Sequence, residues 1–293
     1  MVSELSSFEG ISMFYIHFLF TLKPYTITEE TLAIEMSDAW IMFLGTSAGV
    51  PSKGRGLPSI LMQYRGKYLL FDAGEGVQLS LFRYGIGASK IDAILITHLH
   101  GDHIFGLPGL IQTMGMESRI KPLLIISPPQ LKEFLEMSFR TTGFSPGFNI
   151  ELLEPSRIEI NNYITVTPFA TCHGEVLSYG YLVEGMATDG GKRFSLAYTG
   201  DTSPCDKYRE SVKGAEVLIH DSTFSGDMGE EAIAFGHSTS IQAAAIAKEI
   251  GAKVLFLFHI SNRYSDDLYT LEKEARRFFP MSYVARDGMK FYL

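Results

Sequence analysis

The segment THLHGDH, residues 97–103, places three histidines and one aspartate within seven positions, directly after an apolar run. In an extended chain, residues two apart point to the same side, so His98 and His100 are expected to hold one ion together. Asp102 and His103 are then expected to lie on the first turn of a helix and to face the same opening. Imidazole and carboxylate groups together are typical ligands of zinc, and they also suit manganese and iron. The segment therefore predicts a strand end, a metal site and a helix start, in this order.

Short apolar runs that end in Gly, Asp or His recur from residue 40 onward, and they predict buried strands. These runs lie in residues 40–45, 59–74, 92–98, 123–129, 163–169, 178–184, 193–201, 215–221 and 253–260, with a hairpin turn at 65–66. The spacing of apolar residues predicts helices in residues 102–115, 129–140, 238–251 and 268–279. Strands in runs, with helices interspersed, predict an α/β fold of two sheets covered by helices on their outer faces.

Polar residues follow several of the predicted strands at the point where each strand ends. They are Asp72, His98, Asp201, Asp221 and His259. Ligand sites of α/β proteins commonly form at strand ends, and seven of the eight histidines fall in short motifs of this kind. Two metal ions need about seven or eight protein ligands and a bridging carboxylate, for which Asp201 in TGDTS is the candidate. Such a pair of ions typically holds a bridging hydroxide and acts on phosphodiesters.

The composition indicates a globular protein with a large core, since 46% of the residues are hydrophobic and 20% are charged. A chain of 293 residues can still be one large α/β domain. The formal net charge of −8 argues against broad electrostatic binding of nucleic acid, although it allows a local basic groove. Cys172 and Cys205 are too few for a disulfide framework, so we expect free thiols in a reducing compartment. Beside the site, a cysteine is expected to act as a small apolar residue rather than as a metal ligand.

The apolar run ISMFYIHFLFTL, residues 11–22, has 12 residues, whereas a membrane-spanning helix needs about 20. No basic residue precedes the run and no clear cleavage site follows it, so a signal peptide is not favoured either. Two interpretations remain: an added strand or helix that packs on the body, or an upstream extension with Met36 as the natural start. The second is favoured. We therefore divide the chain into an N-terminal extension, residues 1–39, and a catalytic domain, residues 40–293.

The pattern H-x-H-x-D-H resembles the signature of the metallo-β-lactamase fold, which implies a four-layer αββα sandwich. The stretches FLGTSAGVPSKGRG, FDAGEG, HDSTF, GHST and HISNRY are more specific, and with them the chain from residue 40 onward resembles RNase Z. Enzymes of that family remove 3′ trailers from precursor tRNA. The resemblance implies a cytoplasmic, zinc-dependent endoribonuclease with two Zn²⁺ per subunit, Mn²⁺ or Fe²⁺ being alternatives. It also implies a homodimer that acts on precursor tRNA and needs no membrane.

The resemblance further implies a metal-binding role for seven residues. One ion would be held by His98, His100 and His173, the other by Asp102, His103 and His259, and both by a bridging Asp201. A hydroxide held between the ions would attack the phosphodiester, and Asp102 would accept a proton from the attacking water. Asp72 in FDAGEG would lie behind the ligands and orient them.

Proton donation and RNA contacts are implied at other positions. Asp221 would orient His237, and this pair would donate a proton to the leaving 3′ oxygen. Lys53 and Arg55 in PSKGRG would contact phosphate groups of the RNA, with a solvated surface turn as the alternative interpretation. Arg263 in HISNRY would either contact a phosphate or brace the metal site.

Members of the family usually insert a long arm between His173 and Asp201, which clamps the tRNA elbow. Here only EGMATDGGKRF, residues 184–194, separates two predicted strands, so a short hairpin is expected and the arm is missing. The metal chemistry is expected to remain, while selectivity for tRNA is open. The alternatives are a metal-dependent phosphodiesterase or nuclease of broader substrate choice, and a non-catalytic RNA-binding module stabilised by metal. The last would not need the pair of His237 and Asp221.

Overall fold

Two seven-stranded β-sheets lie face to face in the computed structural model, which describes residues 39–293. Residues 1–38 lie outside the described residues, and with them the apolar run 11–22 and Met36. The N-terminal extension therefore stays a prediction.

The first sheet contains seven strands from both ends of the described chain. They are β1 (Ala39–Gly45), β2 (Ser59–Tyr64), β3 (Lys67–Phe71), β4 (Ala93–Leu95), β5 (Leu123–Ile126), β6 (Ile150–Leu153) and β14 (Lys290–Tyr292). Their order is β14-β1-β2-β3-β4-β5-β6, with parallel pairing from β3 to β6 and antiparallel pairing elsewhere. Arg65 and Gly66 form the predicted hairpin turn between β2 and β3, and both have positive φ angles, as the twist of a tight hairpin requires.

The second sheet follows the same plan. Its strands are β7 (Ile158–Ile160), β8 (Ile164–Ala170), β9 (Tyr179–Met186), β10 (Lys192–Tyr198), β11 (Val217–Asp221), β12 (Val254–Phe258) and β13 (Ser282–Val284). The order is β13-β12-β11-β10-β9-β8-β7, with parallel pairing from β10 to β13 and antiparallel pairing from β7 to β10. In each sheet the parallel strands are consecutive neighbours, so their carboxyl ends lie along one edge.

Helices cover the outer face of each sheet. They are α1 (Val77–Arg83), α2 (Gly101–Ile104), α3 (Leu107–Met116), α4 (Leu131–Thr142), α5 (Asp206–Arg209), α6 (Gly229–Ala234), α7 (Ser240–Ile250) and α8 (Leu268–Arg276). Apolar residues of α1, α3 and α4 pack on the first sheet, and those of α7 and α8 pack on the second. Aromatic side chains fill the space between the sheets, including the edge-to-face pair of Phe71 and Tyr198. The predicted four-layer αββα sandwich is confirmed. Among residues 39–293, no helix has the length and apolar composition that crossing a bilayer requires.

The helix predicted over residues 102–115 is two helices, α2 and α3, separated at Phe105 and Gly106. The reason is a close backbone approach. The amide of Gly106 donates to the carbonyl of Ala73 at 2.9 Å, and a Cβ at position 106 would lie 2.0 Å from the carbonyl oxygen of Gly74. Only glycine fits there. The break presses the short helix α2, with His103 on it, against the loop that follows β3.

Candidate metal centre and the cleft around it

The carboxyl ends of the parallel strands of both sheets meet at one edge of the sandwich. Asp72 follows β3, the segment 97–103 follows β4, and Asp201 follows β10 by three residues. Asp221 ends β11 and His259 follows β12. His220, one residue before Asp221, points into the core instead, where its Nε2 lies 2.8 Å from the hydroxyl of Tyr208. The polar residues that follow predicted strands are thus brought together, and His220 is left out.

One group of possible ligands contains three histidines and Asp201. The ligand-type atoms of His98, His100, His173 and Asp201 all lie within 4.8 Å of one another. The Nε2 atoms of His98 and His173 lie 3.6 and 3.9 Å from Oδ2 of Asp201. The rings of His98 and His100 are 4.7 Å apart between centroids, so the extended segment turns both to one side.

A second group lies beside the first and contains Asp102, His103 and His259, again within 4.8 Å. His259 Nε2 lies 3.3 Å from Oδ2 of Asp102 and 3.3 Å from Oδ2 of Asp201. His103 Nε2 lies 3.4 Å from Oδ1 of Asp201. The Asp201 carboxylate therefore lies between the two groups.

Several atoms of these groups are buried without a hydrogen-bond partner. They are Nε2 of His98, Nε2 of His103 and Oδ1 of Asp201. Burial, the largest influence, raises the pKa of Asp201, but the charges of His259 and His103 outweigh it and hold that pKa well below its usual range. Buried polar atoms normally have a partner, and a cation among these nitrogens and this oxygen would supply one for all three. The donor set of imidazole and carboxylate thus fits a divalent cation.

Asp72 holds His103 in place from behind. It is fully buried, and its Oδ2 accepts from Nδ1 of His103 at 2.8 Å and from the hydroxyl of Tyr198 at 2.7 Å. The backbone amide of Thr97 donates to Oδ1 at 2.8 Å. With its proton on Nδ1, His103 presents the lone pair of Nε2 to the other ligands, as a metal-binding imidazole must.

Asp221 and His237 form a close pair at the side of the second group. Nδ1 of His237 donates to Oδ2 of Asp221 at 2.7 Å. Burial is the largest influence and lowers the pKa of His237, but the Asp221 carboxylate and its hydrogen bond outweigh it and raise the pKa to about 9. A protonated imidazole held by a buried carboxylate is a suitable proton donor.

Asp221 is less suited to bind metal than to orient its neighbours, although it lies within ligand distance of Asp201, His237 and His259. Both of its oxygens already accept hydrogen bonds. Oδ2 accepts from the amide of Thr202 as well as from His237, and Oδ1 accepts from the amide and hydroxyl of Thr223. A metal ion near Asp221 would have to compete with these donors for the lone pairs of both oxygens.

Thr223 is a structural residue of the site that the sequence prediction missed. Its hydroxyl contacts Asp221 at 2.9 Å, Nδ1 of His259 at 2.9 Å and Nδ1 of His237 at 3.3 Å. It therefore ties the pair of His237 and Asp221 to a candidate metal ligand. The only sequence signal was its place in HDSTF, two residues after Asp221.

A cleft of about 390 Å³ opens above both groups. Besides the candidate ligands and His237, it is lined by Ala48, Gly49, Thr223, Phe224, Phe235, Ser261 and Arg263. Arg263 is exposed there, as a phosphate contact requires. Lys53 is exposed in the loop before β2 and does not line the cleft.

Arg55 is placed differently from the prediction. It is buried, and its Nη2 donates to the carbonyls of Thr46 and Ile260 at 2.6 and 3.1 Å. The guanidinium thus joins the loop before β2 to the segment after β12. Arg55 was predicted to contact phosphate or to lie in a solvated surface turn, but its side chain is buried, with Nε and Nη2 bonded to protein groups and Nη1 without a hydrogen-bond partner.

The prediction of free thiols is also wrong. Cys172 and Cys205 form a disulfide, with Cα atoms 6.4 Å apart. The fold brings the His173 loop against the loop after Asp201, where the amide of Ser203 also donates to the carbonyl of Cys172 at 2.8 Å. Neither sulfur is available as a ligand.

The disulfide is expected to stabilise the domain, since it closes a loop between residues 33 positions apart. Loop-closure entropy predicts that reduction lowers the free energy of unfolding by about 4 kcal/mol. Denaturant unfolding with and without dithiothreitol measures this, and a Cys172→Ser, Cys205→Ser double variant should be insensitive to the reductant. Two free thiols in the unreduced native protein would contradict the expectation.

Comparison with known proteins agrees with the geometry. Residues 67–260 match the model of the β-lactamase superfamily domain. Ribonuclease Z of Metallosphaera sedula is 41% identical over an alignment that covers 84% of this chain and 96% of that protein. The chain belongs to the ribonuclease Z family. Among solved structures, the short form of human tRNase Z is similar, with a TM-score of 0.73, 28% identity, and coverage of 86% of this chain and 98% of that one.

A solved structure of similar fold has a different activity from ribonuclease Z. A diphosphatase of the PhnP family is 25% identical, with a TM-score of 0.68 and coverage of 87% of this chain and 98% of that one. The fold therefore does not decide the substrate, and the residues around the metal centre must.

The connection between β9 and β10 is short. Between His173 and Asp201, strands β9 and β10 are joined by a turn of residues 187–191 alone. The predicted short hairpin is confirmed.

Proposed function

We propose that this protein is a zinc-dependent endoribonuclease that removes 3′ trailers from precursor tRNA. The observation that carries the proposal is the combination of two ligand groups that share Asp201 with the His237–Asp221 pair in one open cleft. Membership of the ribonuclease Z family supports the substrate, and the divalent-metal chemistry agrees with the donor set.

Two Zn²⁺ ions are proposed, one held by His98, His100 and His173 and one by Asp102, His103 and His259, with Asp201 shared. Mn²⁺ and Fe²⁺ are ions that the same donors accept. When bound, such ions activate the attacking water and neutralise charge on the phosphodiester. The orphaned buried nitrogens and the central carboxylate support this assignment.

The chain's own groups are proposed to handle two protons. Asp102 lies at the cleft, where its Oδ2 accepts from the amide of Gly49 at 2.9 Å, and it is proposed to accept a proton from the attacking water. His237 is proposed to donate a proton to the 3′ oxygen that leaves, because its Nδ1 is held by Asp221 and Nε2 remains for the substrate. Asp72 keeps His103 oriented.

Contacts to RNA are proposed for Arg263, which is exposed at the cleft, and for Lys53, which is exposed in the neighbouring loop. A homodimer is proposed as well. The exposed apolar side chains of Leu79 and Phe82 on α1 support it, since exposed apolar surface of this kind often marks an interface. Light scattering of the purified protein tests the dimer. The RNA substrate supports a cytoplasmic location. The disulfide of Cys172 and Cys205 is compatible with it, since intracellular disulfides occur in some thermophilic organisms.

The test is cleavage of a precursor tRNA that carries a 3′ trailer, beside a small aryl phosphodiester. We expect one cut after the discriminator base, abolished by a chelator and restored by Zn²⁺. The rate should fall strongly with rising salt if phosphate contacts position the RNA. No specific cut in the presence of metal would refute the proposal.

A broader metal-dependent phosphodiesterase is the second candidate. The five-residue turn between β9 and β10 favours it, because it leaves no room there for a long arm that would clamp the tRNA elbow. The similarity to a diphosphatase agrees with it. Hydrolysis of the aryl diester and unspecific cutting of unrelated RNA, without a single cut in precursor tRNA, would favour this candidate.

A further inference from the structure

One wall of the cleft carries an exposed aromatic ring that neither the candidate metal ligands nor the proton-donor pair uses. Phe235 directly follows helix α6 and lines the cleft, with 66% of its surface exposed. Its ring packs against that of Phe224, with centroids 6.3 Å apart and an interplanar angle of 25°. Single exposed apolar residues are common on protein surfaces, but this one stands within the candidate active site.

Phe224 and Arg263 extend this feature. Phe224 is buried, and its ring centroid lies 5.1 Å from the guanidinium carbon of Arg263. Phe235 and Arg263 thus both contact the ring of Phe224, and we call these three side chains, which all line the cleft, the aromatic wall. Flat aromatic rings and guanidinium groups are the side chains on which unpaired bases stack.

The backbone places Phe235 firmly beside the proton donor. Gly236 has a positive φ of 74°, and its carbonyl accepts from Nδ1 of His173 at 2.8 Å. A Cβ at position 236 would lie 2.9 Å from that nitrogen. The turn from Phe235 to His237 is therefore pressed against a candidate metal ligand, and Phe235 cannot be displaced without disturbing it.

Resting on the proposed function, we propose that Phe235 stacks on the base of the nucleotide immediately upstream of the cut. His237 is assigned to protonate the leaving 3′ oxygen, and that oxygen belongs to the upstream nucleotide. The base of this nucleotide is then the one closest to the aromatic wall. Stacking accepts any base, so this contact contributes binding and position without reading sequence. Because a turn of only five residues joins β9 and β10, contacts near the cut bear a larger share of RNA binding.

The first test is the Phe235→Ala variant on precursor tRNA. We expect KM to rise about ten-fold, as the loss of one base–aromatic contact predicts, with a smaller change in kcat. Phe235→Trp should keep the KM near that of the wild type, because it retains a flat ring. Ile233→Ala is the matched control, since Ile233 lies on α6, is 58% exposed and does not line the cleft. It should behave as wild type.

The second test uses an RNA that lacks only the base upstream of the cut. The wild type should cut this abasic RNA with a kcat/KM about ten-fold lower than that on intact RNA, whereas Phe235→Ala should cut the two RNAs with similar kcat/KM. Equal cleavage of intact and abasic RNA by the wild type would overturn the stacking while leaving the proposed function standing. If the change from Phe235 to alanine lowered kcat/KM by the same factor on intact and on abasic RNA, the stacking would be overturned too, since that result indicates a structural role. If the wild type cuts neither RNA, the proposed function fails and the stacking fails with it.

Discussion

Replacing His237 by alanine is expected to lower kcat on a precursor tRNA by about 10²–10⁴-fold while leaving the bound metal unchanged. The ring is held by Asp221 through Nδ1 at 2.7 Å, and it lines the cleft next to the candidate ligands. A pKa of about 9 for His237 keeps the imidazole protonated at neutral pH, and bound cations would lower that value toward neutrality. Single-turnover cleavage measures the rate, and elemental analysis measures the metal.

An aryl phosphodiester separates proton donation from a structural role. The p-nitrophenolate that leaves bis(p-nitrophenyl) phosphate is stable without a proton, whereas a ribose 3′ oxygen is not. His237→Ala should therefore lose far less activity on the aryl ester than on RNA. Asp221→Asn should show the same pattern of activity loss as His237→Ala. The double variant should be little less active than either single variant, because the two residues act as a unit. An equal loss on both substrates would show that His237 is not the proton donor.

Much of the site could be predicted because its chemistry lies in short segments at strand ends. THLHGDH combines a strand end with a helix start, so the two-residue spacing of His98 and His100 is followed directly by the helical spacing of apolar residues. The order of the strands then brings Asp72, Asp201 and His259 to the same edge. Glycine at position 106, which splits the predicted helix, could not be interpreted without the loop after β3 that it touches.

The remaining features depend on contacts between distant segments, which one sequence does not reveal. Arg55 was predicted to be exposed because it stands in a glycine-rich loop, yet a carbonyl 205 positions away accepts its proton. The two cysteines were predicted to be free because few cysteines suggest no framework, yet the two loops that carry them meet beside the site. Thr223 lies in HDSTF and Phe235 directly precedes GHST. Their roles, however, depend on the positions of His259 and Phe224, which they contact. Short strands such as β6 and β7 were missed because a few residues show no clear periodicity.

Asp201→Asn is expected to remove metal from both ligand groups, whereas His100→Ala is expected to affect one. The carboxylate of Asp201 lies 3.3–3.9 Å from imidazole nitrogens of both groups, while His100 lies in the first group alone. The asparagine side chain has the same shape but no charge, so it cannot balance two cations. Metal chemistry of this kind supplies several kcal/mol of transition-state stabilisation, which corresponds to a loss of at least about 10³-fold in rate.

The comparison of the two variants distinguishes a shared carboxylate from an ordinary ligand. Elemental analysis should find about two equivalents of metal in the wild type, about one in His100→Ala and fewer than one in Asp201→Asn. Asp206→Asn is the matched control, because its side chain is fully exposed at the start of α5, five residues after Asp201, and belongs to neither group. Circular dichroism shows whether Asp201→Asn remains folded. We expect that it does, because the disulfide and the apolar core between the two sheets are unchanged. If Asp201→Asn retained as much metal as His100→Ala, Asp201 would belong to one ion only, and the proposed pair of ions would have to be held by another carboxylate.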